Sequence, residues 1–542
     1  MTAPVASLDP AAAPLGATTA ARLVRPVWRR LMLAAGLGAL TAFAFAPLYW
    51  LPVLWLGFPG LALLLDQARS PRGLALTAAG FAVGHFLASI WWVGESFLHQ
   101  SSVPEAWAPV AVLALAVALA AFYAVPFWAA ARLGLPAARG ARLALYAGLW
   151  VLAEWLRGHL FTGFPWNPLS AVWTLSAATM QPLAWAGPWL FSLATALAAF
   201  APAALLPPHR PGTVTVGAAT LTGFAALMAA GAARLPDTPQ PVQPDITLRI
   251  VQPDIPQAIK WQRDLRGRHF ARHLAMSEPG RPTDGRYVVI WSEAAVPYFL
   301  DRDPGRRRII AEMLPPGGLL LTGQQRYAFP PGAREPDYYN SVVAIDPEAR
   351  VRAVYDKAHL VPFGEYLPLE APIDRLLAWL GTDLTLSSFA YGRISMQAGP
   401  GLRTLDLDGL PPFSPLVCYE GIFPGQVVAP GPRPQWLLNV SNDGWFGSSW
   451  GPYQHLALAR MRAVEEGLPM VRAAGRGISA IIDPYGRFTG RTDLLVRTTL
   501  TGALPKPLDH APPAAHIAPW LAGLLLALWS LGFGPVLARK IA

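Results

Sequence analysis

Three residues of this 542-residue chain have side chains that could together move an acyl group: Glu293 in "WSEAAVP", Lys357 in "YDKAHLVPFGEYLP" and Cys418 in "LVCYEG". Cys418 is the only cysteine. A thiol with an ordinary pKa of about 8.5 is mostly protonated at neutral pH. A nearby carboxylate can take that proton, and a nearby ammonium can stabilise the thiolate and then a tetrahedral oxyanion. Each residue also has a plainer reading. A lone cysteine is commonly a small buried hydrophobe, a glutamate commonly lies at the surface, and a lysine can close a hairpin salt bridge. Periodicity does not show that the three meet. One cysteine excludes an intramolecular disulfide and any multi-cysteine metal site. The phosphate loop G-x-x-x-x-G-K-[ST] is absent,.

The elements that must position these groups are short β-branched runs with turn signals between them. "ITLRIVQPDI" (246–255), "YVVIWSEAAVP" (287–297) and "GLLLTGQQR" (318–326) read as strands ending at polar residues. "YNSVVAIDPEARVRAVYDK" (339–357) reads as a hairpin turning at Asp346-Pro347, and "GISAIIDPYGRFTGRT" (477–492) as another turning at Asp483–Gly486,. "FSPLVCYE" and "QWLLNVSND" are two more strands. "YQHLALARMRAVEEG" (453–467) has helical apolar spacing at Leu456, Leu458, Met461 and Val464,. Strands interleaved with helices imply an α/β sandwich over 232–513.

Both flanks of this region avoid water. Charged residues make up 14% of the chain and hydrophobic ones 53%, against about a quarter charged in ordinary globular chains. Candidate membrane spans are 31–47, 48–66, 73–94, 108–131, 142–157, 181–205 and 212–231, then 516–535 within a last segment 514–542,. The first two are short or interrupted by proline, which leaves a re-entrant hairpin open, and the fifth is also short. Under the eight-span count, the basic segments holding Arg22 to Arg30, Arg69 and Arg72, Arg132 to Arg142, Arg210, and Arg539 with Lys540 fall on one side. That side is expected to be cytoplasmic, which places 232–513 outside the cytoplasm. The net charge of +10 follows the same rule and does not call for a nucleic acid partner. Residues 1–30 read as a disordered cytoplasmic tail. Glu154 and Arg157, three apart at the end of the fifth span, read as an interfacial helix ion pair or a lipid headgroup contact. Phe161, Phe164 and Trp166 behind them read as an interfacial aromatic belt.

The ordered motifs "WSEAAVP", "YDKAHLVPFGEYLP", "LVCYEGIFP", "NVSNDGWFG" and "ARMRAVEEGLPMVRAAGRGISAIIDPYG" resemble the nitrilase superfamily over nearly all of 246–502. With the apolar flanks, "IPQAIKW" (255–261) and "LRGHLFTGFPWNP" (156–168), the chain resembles the apolipoprotein N-acyltransferases over almost its whole length. The resemblance implies a polytopic helical membrane bundle of about eight spans carrying a periplasmic nitrilase-like αββα domain in the bacterial inner membrane. It implies ping-pong transfer of an acyl chain from a glycerophospholipid, through a thioester, to the α-amino group of a diacylated apolipoprotein. Cys418 would be the nucleophile, Glu293 the general base and Lys357 the oxyanion-stabilising ammonium. Glu365 would orient Lys357 or relay a proton, the Tyr419 N–H would face the oxyanion, and Glu420 would give hydrogen-bonding support or serve structure alone. Trp261 and Trp445 match positions near the lipid entry, or pack ordinarily. No cofactor and no metal are implied, and the protein is expected to act as a monomer.

Two stretches carry further expectations. "LEAPIDRLLAWLGTDLTLSSFAYG" (369–392) is expected to form a membrane-touching arm, with an internal core helix as the competing reading. "AAGRGISA" departs from the family pattern at Arg476, which would contact a phosphate or be solvated. Two other functions stay open: a membrane-tethered amidase sharing the triad, and a transporter with an extracytoplasmic regulatory domain, which leaves Cys418 unexplained.

Overall fold

The computed structural model describes residues 27–98, 104–207, 211–278, 285–332, 334–381 and 395–532. Its first part is helical: α1 (Val27–Thr41), α2 (Leu54–Asp66), α3 (Pro71–Ser89), α4 (Ala108–Leu133), α5 (Arg139–His159), α6 (Leu183–Phe200) and α7 (Pro211–Arg234). Four stretches of described residues are long and apolar enough to cross a bilayer: Val27–Ala44, Glu105–Leu133, Leu183–Leu205 and Pro211–Arg234,. A fifth is reached if α3 and the short helix Trp91–Leu98, bent by 57°, form one broken span. The first helix starts inside the expected 1–30 tail, whose remaining residues lie outside the described ones.

The second part is a pair of six-stranded sheets. The first runs β12-β1-β2-β3-β4-β5, with β1 (Val242–Gln252), β2 (Arg286–Trp291), β3 (Leu319–Ala328), β4 (Asp337–Ile345), β5 (Val351–Asp356) and β12 (Thr498–Pro505). The second runs β11-β10-β9-β8-β7-β6, with β6 (Leu405–Leu407), β7 (Leu410–Val417), β8 (Trp436–Ser441), β9 (Met470–Ala474), β10 (Ala480–Ile482) and β11 (Phe488–Arg491). Central strands are apolar on both faces, as strands covered on both sides must be. Ile250, Ile290 and Leu321 meet Phe413, Leu438 and Val471 between the sheets. The alternate residues Val251, Val289 and Leu320 pack outward against α8 (Arg266–Ser277) and α9 (Pro304–Met313), through Phe270, Ile310 and Met313. On the other side, Leu416, Leu437 and Met470 face α11 (Gly451–Glu466). The layers are therefore helix, sheet, sheet, helix.

Helix α11 is buried at every position but Tyr453 because it is shared. Leu456, Ala459 and Ala463 join the sandwich core, while Leu458, Met461 and Val464 join the core of the apolar helices. The chain between β5 and β6 includes α10 (Glu370–Trp379), and α12 (Pro519–Gly532) packs back on α5, where the Trp529 indole donates to the Ala144 carbonyl at 3.0 Å.

Candidate active site

β1, β2 and β3 are parallel, β4 reverses, and β5 runs with β3 again. β7, β8 and β9 are likewise parallel. Reactive side chains therefore leave both sheets at one end, the usual place for a site in such folds. Glu293 follows β2, Lys357 follows β5 and Cys418 follows β7.

Glu293 is held by close backbone contact. Gly323 of β3 lies so near that a Cβ there would stand 2.5 Å from the Glu293 Cα and 2.8 Å from the Ser292 carbonyl. The Ala295 N–H donates to the Gly323 carbonyl at 2.9 Å, and Ala294 takes φ +44°. The Asn340 amide of β4 then spans two carboxylates, donating to Glu293 Oε1 at 2.7 Å and to Glu365 Oε1 at 2.9 Å. Glu365 Oε2 pairs with Lys357 Nζ at 2.7 Å and accepts from the Val361 N–H at 2.8 Å. Among the described residues, Glu293 Oε2 has no hydrogen-bond partner although it is buried.

Charges in this cluster hold one another in place. Burial alone would lower the Lys357 ammonium, but Glu365 and then Glu293 outweigh it and keep Lys357 well above the ordinary lysine value,. Burial opposes ionisation of Glu365, yet the Lys357 ammonium holds that carboxyl below its usual range. The half-buried Cys418 thiol goes the other way: burial, then the Glu293 charge, push it far up, and Lys357 offsets this only in part. At rest the sulfur is a thiol and needs a base.

Cys418 opens a 3-10 turn (Cys418–Ile422) with φ +52°, a conformation that non-glycine residues rarely adopt,. Glu420 knits this turn to the lysine segment. Its Oε2 accepts from the Val417 N–H at 2.7 Å, and its Oε1 accepts from the Tyr355 hydroxyl and the Ala358 and His359 N–H groups at 2.8, 2.7 and 3.0 Å. Burial raises its pKa despite these bonds. The Tyr419 hydroxyl donates to the Gly163 carbonyl at 2.9 Å, tying the turn to the loop after α5.

Trp261 is partly exposed, with the Lys260 ammonium 6.0 Å from its ring centre. The Lys260 ammonium also donates to the Glu293 main-chain carbonyl at 3.3 Å. Burial lowers it to about 8, against the pull of Glu293. Trp445 is half-buried beyond β8, apart from the Glu293–Asn340–Glu365–Lys357 chain of contacts. Arg476 is partly exposed; its Nε lies 3.5 Å from Asp254 Oδ1, linking two loops, and among the described residues its Nη1 has no hydrogen-bond partner.

Two expectations for the membrane loop need correction. Glu154 and Arg157 are not an interfacial pair, being 2% and 1% exposed. Glu154 accepts from the Trp150 indole at 3.1 Å and the Leu169 N–H at 3.0 Å, and Arg157 donates to the Trp166 carbonyl at 2.8 Å. They fold the 164–169 segment over the helix end. Trp166 is likewise buried, donating to Gln454 of α11 at 2.8 Å, so of the expected belt only Phe161 is well exposed. Sequence reasoning did not single out Asn340, which bridges the carboxylates, or Asp443 and His455 beside Cys418. Asp443 lies inside the motif "NVSNDGWFG", which was a signal for it.

The chain matches the family model "Apolipoprotein N-acyltransferase N-terminal domain" over residues 37–201 and "Carbon-nitrogen hydrolase" over 319–508. It is similar to proteins named apolipoprotein N-acyltransferase. One from Rhodopseudomonas palustris is 38% identical, covering 92% of this chain and 94% of that protein. One from Bradyrhizobium diazoefficiens is 37% identical with the same two coverages, and one from Caulobacter vibrioides is 38% identical over 84% of each.

Proposed function

The chain belongs to the apolipoprotein N-acyltransferase family, and from that premise we propose that it transfers an acyl chain from a glycerophospholipid to the α-amino group of a diacylated lipoprotein by way of a Cys418 thioester. The observation that carries this reading is the docking of the Cys418–Ile422 turn on the apolar helices through Tyr419, Ile422 and Phe423, in one continuous core with them. A soluble amidase has no use for a thiol seated on a membrane bundle. The proposed layout is a membrane part over 31–231, a catalytic domain over 232–513 outside the cytoplasm, and a final span in 514–542, eight crossings in all in a bacterial inner membrane.

Glu293 Oε2 takes the Cys418 proton as sulfur attacks the lipid ester carbonyl. The oxyanion forms beside the Lys357 ammonium and the Tyr419 N–H. It collapses with cleavage of the ester C–O bond, and the protonated Glu293 returns the proton to the departing lysophospholipid oxygen. The neutral α-amine then attacks the thioester and gives its proton to Glu293. Cleavage of the C–S bond releases the amide, and the proton passes back to sulfur. Glu365 and Asn340 position Lys357 and Glu293 throughout. The two active-site carboxylates share Asn340, so only the one with an idle oxygen serves as base.

α10 and the residue after it support the expected arm over a core helix: Leu376, Trp379 and Leu380 are exposed. Residues 382–392 of that stretch lie outside the described ones. Purified protein incubated with phospholipid alone should gain one acyl mass on Cys418, removable by hydroxylamine and absent in Cys418→Ser. Release of free fatty acid with no adduct would sink the transferase reading in favour of a hydrolase.

A further inference from the structure

Two adjacent residues of α11 face opposite halves of the molecule. Gln454 makes four hydrogen bonds, all to the helical part. Its carbonyl oxygen accepts from the Trp92 and Trp166 indoles at 3.0 and 2.8 Å, and its amide donates to the Ser89 and Ala46 carbonyls at 3.1 and 3.4 Å. That uses the whole ordinary capacity of a glutamine side chain. Its partners come from the turn after α1, the α3 break and the loop after α5. His455 instead turns to the sandwich. Its Nε2 lies 3.3 Å from the Cys418 carbonyl oxygen, and its Nδ1 lies 2.9 Å from Asp443 Oδ1 and 3.1 Å from an Arg472 nitrogen.

The Cys418 carbonyl receives a second donor, Asn439 Nδ2, also at 3.3 Å. A non-glycine residue at φ +52° persists only where its surroundings over-determine it, and two donors on the carbonyl of that residue do so. In the Nε2–H tautomer, Nε2 donates to the Cys418 carbonyl and Nδ1 accepts from Arg472, while Asp443 Oδ1, 2.9 Å from Nδ1, is held there by the Arg472 guanidinium and the Ser441 hydroxyl, which both donate to it. The same Ser441 hydroxyl is 3.5 Å from Cys418 Sγ.

We propose that Gln454 and His455 form a clamp that sets the register of the Cys418 thiol against the membrane helices: His455 holds the strained turn, and Gln454 fixes the helix carrying His455 to the α3 break and the Trp166 loop. Both are positioning residues, and their role for a lipid substrate rests on the function proposed above. A lipid chain emerging from the helices must meet the sulfur within a fraction of an ångström, and a misplacement of about 1 Å costs on the order of 10²-fold.

The test uses two thiol reagents on full-length protein in one detergent: iodoacetamide, and a maleimide bearing a long alkyl chain. His455→Ala should react about tenfold more slowly with both, with a displaced pH profile for iodoacetamide, and His455→Gln, which keeps a donor near the Nε2 position, should recover most of the rate. Gln454→Leu should keep the iodoacetamide rate but lose on the order of tenfold with the alkyl maleimide. Trp166→Phe, which removes one of the four bonds, should show the same selective loss more weakly and serves if Gln454→Leu does not fold. Unchanged rates and pH profile in His455→Ala, or equal losses with both reagents in Gln454→Leu and Trp166→Phe, would overturn the clamp. These rates do not depend on acyl transfer, so a failed phospholipid adduct overturns the proposed function and leaves the clamp to be judged separately.

Discussion

Two buried carboxylates act on the Cys418 thiol, and they are finished differently. Asp443 is saturated: the Ser441 hydroxyl donates to one of its oxygens and the Arg472 guanidinium to both. Burial opposes its ionisation, but Arg472 and His455 hold its pKa well below the ordinary aspartate value. Glu293 is just as enclosed, yet one oxygen receives only Asn340 and the other is left idle. A saturated carboxylate fixes structure, because moving a proton onto it breaks several bonds at once. An unsaturated one is free to accept a proton. The comparison separates scaffold from chemistry within a single site.

The largest effect expected from breaking it is on activity. Glu293→Gln keeps the shape and the Asn340 contact but removes the proposed base. Acyl-adduct formation should fall by about 10² to 10⁴-fold, read by intact mass over time, while the thermal midpoint stays near wild type. Normal acylation in this variant would show that Glu293 is not the base. Asp443→Asn should do the reverse. It leaves the fully buried Arg472 uncompensated, a loss of roughly 3–5 kcal/mol, and lowers the acylation rate of the remaining folded protein by only about tenfold. Denaturant or thermal unfolding measures the first, adduct formation the second. If Asp443→Asn is stable but inactive, the two carboxylates have been assigned the wrong way round.

Gly323→Ala sharpens the same contrast without touching either acid. The added methyl cannot coexist with the Glu293 Cα at 2.5 Å, so Glu293, the proposed base, must shift. About a tenfold loss of adduct formation is expected, with roughly 1–3 kcal/mol of overpacking cost. A wild-type rate would show that the backbone gives way without moving Glu293.

The sequence disclosed the three reactive residues because each ends a strand with a readable pattern and sits in an ordered motif. It did not disclose Asn340, since an asparagine inside "YYNSVV" looks like any polar residue of a hairpin until the Glu365 loop folds over it. The strands Leu405–Leu407 and Thr498–Pro505 escaped notice for physical reasons. The first is three residues long, and the second, broken by Gly502 and Pro505, is defined by pairing with β1 far upstream. α11 is legible as a helix, but not as one buried at every position but Tyr453, because periodicity reports one apolar face and this helix serves two cores. Glu154 and Arg157 were misread for a related reason: a helix end seen in sequence carries no sign of the loop that will cover it.

The smallest expected effect concerns a third charge at the site, Lys260, which touches Glu293 only through its main-chain carbonyl. Lys260→Gln should lower acylation about two- to threefold, since Asn340 still holds the carboxylate. Its clearer signature is in stability. Glu293 and His273 are the titratable groups that interact with this lysine, and burial brings its pKa down to about 8. The unfolded chain keeps the same proton up to about pH 10.4. Between those two values the unfolded state binds more protons, so this group makes stability rise with pH. Cys418 opposes it in the same range: its folded pKa is raised, so its contribution is lost as pH increases. The two are separated by subtracting the Lys260→Gln unfolding curve from that of wild type. The difference should climb from about pH 8 to about pH 10.4. A flat difference would mean that Lys260 keeps an ordinary charge in its buried position, and that Glu293 faces two permanent cations where the structure gives it one.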